Sequence, residues 1–212
     1  MSDNRIPVFD IGDTLMPSFR LQNELMRDEL KEQGAKEIPD FDTNNFKIYT
    51  VSEVEEYLEE HGLEHGDPLR IIEKYKDRER RFMEENGVFE FLREVSEKLG
   101  PIGFISDNTI EGKKWMEAQL EAHDVPYEGL VVSEEVGVEK PDPAIFQKFL
   151  NQRGRPGEDF VYFGNNLKRD PACKEVGMEF VLVKQHKVYG EEKDVDSIDE
   201  LNYESVKQVV EK

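Results

Sequence analysis

The sequence predicts an α/β protein, a doubly wound parallel sheet of Rossmann-like type with a small all-helical domain inserted after its first strand. Three observations carry this expectation. Short apolar runs recur at 102–105, 130–132, 160–163 and 180–183, separated by segments of helical period. Strands alternating with helices of that length imply parallel pairing through right-handed crossovers. One more apolar run, 6–9, stands at the start and is followed over residues 16–86 by apolar residues at helical spacing only. Core boundaries of 1–15 and 87–212 follow, with 16–86 as the insertion.

The elements are justified in order. Ile6, Val8 and Phe9 suit a strand buried on both faces, with Pro7 tolerable only near its start. Pro17 and Ser18 open a helix whose Leu21, Leu25, Met26 and Leu30 share one face until Gly34. Residues 35–50, with Pro39 and several Asp and Asn, read as a loop. Ser52 with Glu55 forms a capping box for a short helix carrying Val54, Tyr57 and Leu58 and stopping near Gly62. Asp67 then Pro68 caps and opens a third helix, with Leu69, Ile72, Tyr75 and Phe82 on its apolar side. Beyond Gly87, the residues Val88, Phe91, Leu92, Val95 and Leu99 mark a helix ended by Gly100. Later helices are expected up to about His123, with Trp115, Met116 and Leu120 inward, at 143–152 and near 168–176. A closing turn and helix, 198–212, should bury Leu201, Val206 and Val209.

Composition narrows the function. The chain has 212 residues, 37% hydrophobic and 36% charged, enough to bury a substantial core. A formal net charge of −20 argues against nucleic-acid partners, because a phosphate backbone would be repelled over most of the surface. The acids are spread along the chain, which suits either a surface adapted to high salt or an acidic cytosolic protein; the first is favoured, although Lys outnumbers Arg. No apolar run is long enough to span a bilayer, and MSDNRIPVFD lacks the basic and hydrophobic parts of a signal peptide. A cytoplasmic protein without a membrane partner is expected. The single Cys173 has no partner for an internal disulfide and rules out a cysteine-cluster metal site.

In an open parallel sheet, ligands bind beyond the carboxyl ends of the strands. The residues there are Asp10, Asp13 and Thr14, then Ser106, Asp107, Asn108 and Thr109, then Lys140 a little beyond the third strand, then Asn165 and Asp170. A nucleophilic carboxylate, a hydroxyl, a cation and a metal-capable carboxylate are what phosphoryl transfer through an aspartyl phosphate requires. Backbone N–H groups at the helix start after Ser106 would also favour an anion.

Through DIGDTL at 10–15, FISDNT at 104–109, GVEKPDPAIF at 137–146, GNNLKRD at 164–170 and CKEVGM at 173–178, the chain resembles the haloacid dehalogenase superfamily of hydrolases, with a helical cap after the first strand. The resemblance implies a phosphatase of small phosphorylated metabolites. Asp10 would attack phosphorus, Ser106 and Lys140 would hold phosphate oxygens, and Thr14, Asp107 and Asn108 would complete the substrate site. Mg²⁺ would bridge Asp10 and the substrate, with the Gly12 carbonyl, Asn165 and Asp170 as further ligands, Asp170 ranking above Asn165 as the essential acid.

Two departures from the family pattern matter. Gly12 stands where many of the phosphatases carry a general acid/base Asp, and losing that function costs about 10²- to 10⁴-fold in rate, roughly 3 to 5 kcal/mol. Leaving groups that need little protonation, such as acyl phosphates, would be favoured, and Asp13 is a possible substitute. Asn165 stands where the family has an acidic ligand, which should weaken Mg²⁺ binding. Two alternatives follow. One is a metal-free 2-haloacid dehalogenase, although Gly12 replaces the aromatic residue usual there; the other is a weak or silent binding protein. Elsewhere, His61 and His65 read as a solvated loop, Arg78, Arg80 and Arg81 as a charged helix face, and Trp115 and Cys173 as packing. Arg20 could reach an anionic substrate.

Overall fold

The computed structural model describes residues 5–32, 34, 47–60, 67–191 and 195–212. Most of the expected 35–50 loop, and His61 and His65, lie outside the described residues. Among the described residues six parallel strands form one sheet: β1 (Ile6–Phe9), β2 (Ile102–Ser106), β3 (Tyr127–Val132), β4 (Phe160–Gly164), β5 (Glu179–Val183) and β6 (Ser197–Ile198), in the order β3-β2-β1-β4-β5-β6. Growth runs from β1 to β3 on one side and from β4 to β6 on the other, so the direction reverses between β1 and β4. That switch point is where a crevice opens at the strand ends. The ladder from β1 to β2 starts at Val8 opposite Gly103, which leaves Pro7 at the edge of that pairing.

Alternate residues of the strands feed two cores, as the period of two requires. Phe9, Phe104 and Phe163 face a cluster with Phe89 and Leu92 of α4 (Val88–Leu99), Leu120 of α5 (Ile110–Ala122) and Val206 of the last helix, Tyr203–Val210. Val8, Ile105 and Tyr162 face Phe146 and Phe149 on the other side. A Cβ at Gly103 would collide with the Phe149 ring, so the close approach of helix to sheet requires glycine there.

Between β1 and α4 the described residues form three helices, α1 (Ser18–Glu32), α2 (Val51–Glu60) and α3 (Pro68–Glu85), which share a third cluster built on Leu25, Met26, Val54, Tyr57, Ile71 and Tyr75. Phe82 and Trp115 are half-buried and touch both this cluster and the first core. Here the structure departs from the expected pattern in two places. The reciprocal cap of α2 is Thr50 with Glu53, not Ser52 with Glu55: Thr50 Oγ1 accepts from Glu53 N at 3.3 Å, and Glu53 Oε2 accepts from Thr50 N at 2.9 Å. The earlier pair prevails because the same carboxylate also takes the Tyr49 N–H at 3.0 Å. On α3 the buried stripe is Ile71, Ile72, Tyr75, Glu79 and Met83, while Leu69 is 62% exposed. Leu69 lies about 200° around the helix from Ile71, whereas Glu79 returns within about 20° of Ile72.

The segment expected as a helix near 168–176 is a 3₁₀ turn over Asp170–Val176. Asp170 takes the Asn166 N–H on its side chain at 2.8 Å, Pro171 has no N–H to give, and Gly157 packs directly on the backbone at 176–178. Among the described residues no helix is long and apolar enough to cross a membrane.

Glu79 is 1% exposed and accepts a short hydrogen bond from the Tyr49 hydroxyl. Burial pushes its pKa from 4.5 up to about 7, against the hydrogen bonds from Tyr49 and Tyr75. The folded value exceeds the unfolded one, so between these limits the folded chain keeps a proton that the unfolded chain has lost. Stability from this group is therefore complete below pH 4.5 and falls as pH rises toward 7, by up to about 3 kcal/mol. Glu79→Gln should flatten this fall and raise the melting temperature above that of wild type at pH 8. Thermal unfolding from pH 4.5 to 8 checks it, and a variant that tracks wild type at every pH would refute it.

Candidate active site

The carboxyl end of β1 delivers Asp10 to the switch-point crevice, its N–H still continuing the ladder to Phe163 O at 2.9 Å. Around it opens a cleft enclosing about 120 Å³, lined by Asp10, Gly12, Asp13, Ser18, Phe19, Gln22, Lys47, Ser106, Asp107, Glu139, Lys140, Asn165, Asn166, Arg169 and Tyr189. Lys140 is the link between its parts. Its ammonium lies 3.0 Å from Asp10 Oδ1 and 2.8 Å from Asp170 Oδ1, and it donates to the Tyr162 hydroxyl at 3.0 Å. Tyr162 in turn donates to Ile105 O at 2.9 Å. Burial disfavours the charge on Lys140, but Asp10 and Asp170 outweigh it and hold the ammonium well above its ordinary pKa. Burial raises Asp10 to about 7 despite Lys140, and the nearby Asp170 and Asp107 carboxylates add to the rise.

Asp170 does not line the cleft. It is fully buried, with Oδ1 on Lys140 and Oδ2 on the Asn166 N–H, and a Cβ at Gly164 would collide with it. Asp170, expected as the essential metal-binding acid, thus stands behind Lys140 and outside the cleft wall, with each of its oxygens accepting a hydrogen bond. Asn165 reaches the cleft from β4, its Oδ1 accepting from Thr14 Oγ1 at 3.2 Å and its Nδ2 donating to Lys187 O at 2.6 Å.

Two expected substrate-site residues also lie elsewhere. Thr14 is fully buried against Asn165 and is not part of the cleft wall. Asn108 folds back on the start of α5, where its Oδ1 accepts the Thr109 N–H at 2.8 Å and occupies the space beside Gly112. Thr109 is the N-cap of that helix, accepting Gly112 N at 3.0 Å. Ser106 and Asp107 do reach the cleft. Asp107 accepts the Lys140 N–H at 2.9 Å and pairs with Arg169 at 3.2 Å, while burial raises its pKa.

Asp13 adopts φ +54°, a left-handed conformation that Asp tolerates better than most residues. That turns its carboxylate into the cleft, where it accepts from Phe19 N at 3.0 Å and from the Tyr189 hydroxyl at 2.8 Å. Gly12 has no positive φ, and a Cβ there would meet only the Ser18 side chain at 3.5 Å.

Several lining residues fall outside the expected site set. Arg169, inside GNNLKRD, donates to Lys140 O at 2.6 Å and pairs with Glu139 at 2.7 Å, and Glu139 also holds Lys47 at 2.6 Å. Arg169 could have been found from its place beside Asp170; nothing in the sequence marks Tyr189. Arg20 is not among the lining residues: it pairs with Glu24 at 3.9 Å and lies over Phe82. Arg78 pairs with Asp28, and Arg80 and Arg81 with Asp77, a charged helix face. Cys173 is buried, which pushes its thiol up to about 12.

The described residues contain no group of three His, Cys, Asp or Glu side chains able to hold a metal. Among the described residues the cleft presents hard oxygen donors beside Asp10, and four carboxylates, Asp10, Asp13, Asp107 and Glu139, face three cations, Lys47, Lys140 and Arg169. A phosphate dianion entering that balance would need a further divalent cation, and oxygen-only donors suit Mg²⁺.

A strand-end carboxylate at the switch point of a parallel sheet, joined to a buried lysine from another crossover, defines the class: the chain belongs to the haloacid dehalogenase-like hydrolases, whose family model matches residues 7–183. It is 28% identical over 206 residues to a glyceraldehyde 3-phosphate phosphatase from Methanopyrus kandleri, covering 85% of this chain and 84% of the relative. Its fold is shared by the protein CbbY from Rhodobacter sphaeroides in complex with phosphate, with a TM-score of 0.60, 16% identity and coverage of 93% and 95%. A hydrolase of this superfamily from Bacillus subtilis, bound to magnesium, also has a TM-score of 0.60, at 16% identity and 98% coverage of both chains.

Removing one partner of a buried ion pair costs about 3 to 5 kcal/mol. Asp170→Ala should lose that much in urea unfolding, while Asn165→Ala, losing hydrogen bonds at the cleft wall, should lose about 1 to 2 kcal/mol. Equal, small losses would place Asp170 at a solvent-facing position instead.

Proposed function

We propose that this protein is a Mg²⁺-dependent phosphatase of small phosphorylated metabolites, with Asp10 as the nucleophile. The observation that carries the reading is the buried Lys140 bridging Asp10 and Asp170 at the floor of a cleft that also exposes Ser106. Asp10 attacks phosphorus and forms an aspartyl phosphate, which water then hydrolyses. Lys140 keeps the Asp10 carboxylate aimed and lies where it can offset charge on a phosphate oxygen, and Ser106 offers a hydroxyl donor on the same wall. Asp10, the Gly12 carbonyl and the second lone pair of Asn165 Oδ1 would hold the metal, which supplies charge neutralisation at the phosphate. Asp170 acts through Lys140.

The glyceraldehyde 3-phosphate phosphatases among its relatives support three-carbon phosphates as the first substrates to test. Phosphate release from a panel of small phosphate esters should require Mg²⁺, and Asp10→Asn should lower it more than about 10³-fold. Turnover that survives Asp10→Asn would remove the nucleophile assignment. Halide release from 2-haloacids without metal would favour the dehalogenase, and no turnover together with no Mg²⁺ binding by calorimetry would favour a binding protein.

A further inference from the structure

Every substrate of a phosphatase brings a phosphoryl group, so one substrate is told from another by the rest of the molecule. Among the described residues three cations line the cleft, Lys47, Lys140 and Arg169. Each is already held by carboxylates. Lys140 is committed to Asp10 and Asp170. The other two converge on a single acid: Lys47 Nζ lies 2.6 Å from Glu139 Oε1, and Arg169 Nη2 lies 2.7 Å from Glu139 Oε2. Arg169 is fixed further by donating through Nε to Lys140 O at 2.6 Å and by its contact with Asp107 at 3.2 Å.

This bridge joins the helical insertion to the core, because Lys47 stands shortly before the Thr50 cap of α2 and Glu139 directly before Lys140, 92 positions away. Both cations are largely buried, with side chains 23% and 21% exposed, so salt screens their charges weakly. Burial works against the charge on Glu139, but the hydrogen bonds from Lys47 and Arg169 outweigh it and hold its pKa below the ordinary value. One carboxylate of the protein thus occupies, oxygen by oxygen, the place where two cations would otherwise grip a carboxylate of the substrate. We propose that Glu139 is a specificity-determining residue that reserves the cleft for phosphate esters whose remaining groups are uncharged and turns away those that also carry a carboxylate. This rests on the phosphatase reading.

The charges of the wall give the sign of the effect. With all of them ionised, four carboxylates and three cations leave the wall formed by the described residues one negative charge in excess. A phosphate dianion entering with a divalent cation does not change that balance. A substrate carboxylate would add a second negative charge, and to reach Lys47 and Arg169 it would have to displace Glu139, leaving two carboxylates side by side. Like charges brought together in a partly buried site are strongly disfavoured, and a site rejects a ligand that otherwise fits by confronting it with such a group. A hydroxyl or carbonyl in the same position displaces nothing, and the insertion side of the cleft offers it the neutral side chains of Ser18 and Gln22.

The readout is the ratio of kcat/KM on glycerol 3-phosphate, whose tail is neutral, to that on 3-phosphoglycerate, which has the same carbon chain length and a carboxylate. Wild type should favour glycerol 3-phosphate at least about 10-fold. Glu139→Gln, which keeps the shape and removes the charge, should lower the ratio about 10-fold, through a lower KM for 3-phosphoglycerate and not through kcat. Lys47→Met, which leaves Glu139 with one cation fewer, should raise the ratio, and added to Glu139→Gln it should reverse much of that variant's change. A wild-type preference for 3-phosphoglycerate, or a ratio that neither single variant moves, overturns the role of Glu139 and leaves the phosphatase reading intact. Failure on both esters while p-nitrophenyl phosphate is hydrolysed does the same, whereas failure on all three with Mg²⁺ present overturns both.

Discussion

The buried contact of Lys140 with Asp10 and Asp170 sets the conditions for the rest of the site. One ammonium between two carboxylates, with a tyrosine hydroxyl as third acceptor, satisfies all three of its donors away from water. Ion pairs of this kind recover their desolvation cost only with near-complete hydrogen bonding. That requirement reaches into the backbone: Gly164 must lack a side chain to admit Asp170, and the chain after β4 turns through a 3₁₀ segment so that the Asn166 N–H can bind Asp170. It also fixes the loop after β2, because Asp107 accepts the N–H of Lys140 itself. Three crossovers are thereby tied at one point.

What the sequence made legible was whatever repeats locally. Strand runs buried on both faces are apolar at every position, so β1, β2 and β4 were readable along with the acids and hydroxyls at their ends. The parallel sheet followed from the alternation of elements, and the family followed from motifs in the right order. What stayed hidden was partner choice across the fold. Thr14 and Asn165 are separated by 151 positions, and no local pattern tells a substrate-binding threonine from one that orients an asparagine. Asn108 looked equally available, yet the first turn of its own helix claims its side chain. Asp170 resembled a ligand because it is an acid in a motif, and only its burial shows that it faces a lysine.

The helical insertion illustrates the opposite error. Its period was correct, but an apolar side was assigned by hydrophobicity, so exposed Leu69 was preferred to buried Glu79. A carboxylate in an apolar cluster is informative because it is unfavourable. Here the Tyr49 hydroxyl donates to it, and the Tyr49 ring packs edge-on against Tyr75 of the same cluster.

The same local logic resolves the apparent conflict between an acidic chain and an anionic substrate. A net charge of −20 repels phosphate at long range, but in 0.1 M salt that repulsion decays over about 10 Å. Inside the cleft, three of the acids are paired with cations, Glu139 with Lys47 and Arg169, Asp107 with Arg169, and Asp10 with Lys140, while Asp13 accepts from Phe19 N and the Tyr189 hydroxyl. On the proposed phosphatase reading, recognition is then decided by this near-neutral wall and by a divalent cation accompanying the substrate. The surface charge controls how readily the anion approaches, so added salt should ease approach before it weakens the buried contacts, which are shielded from it.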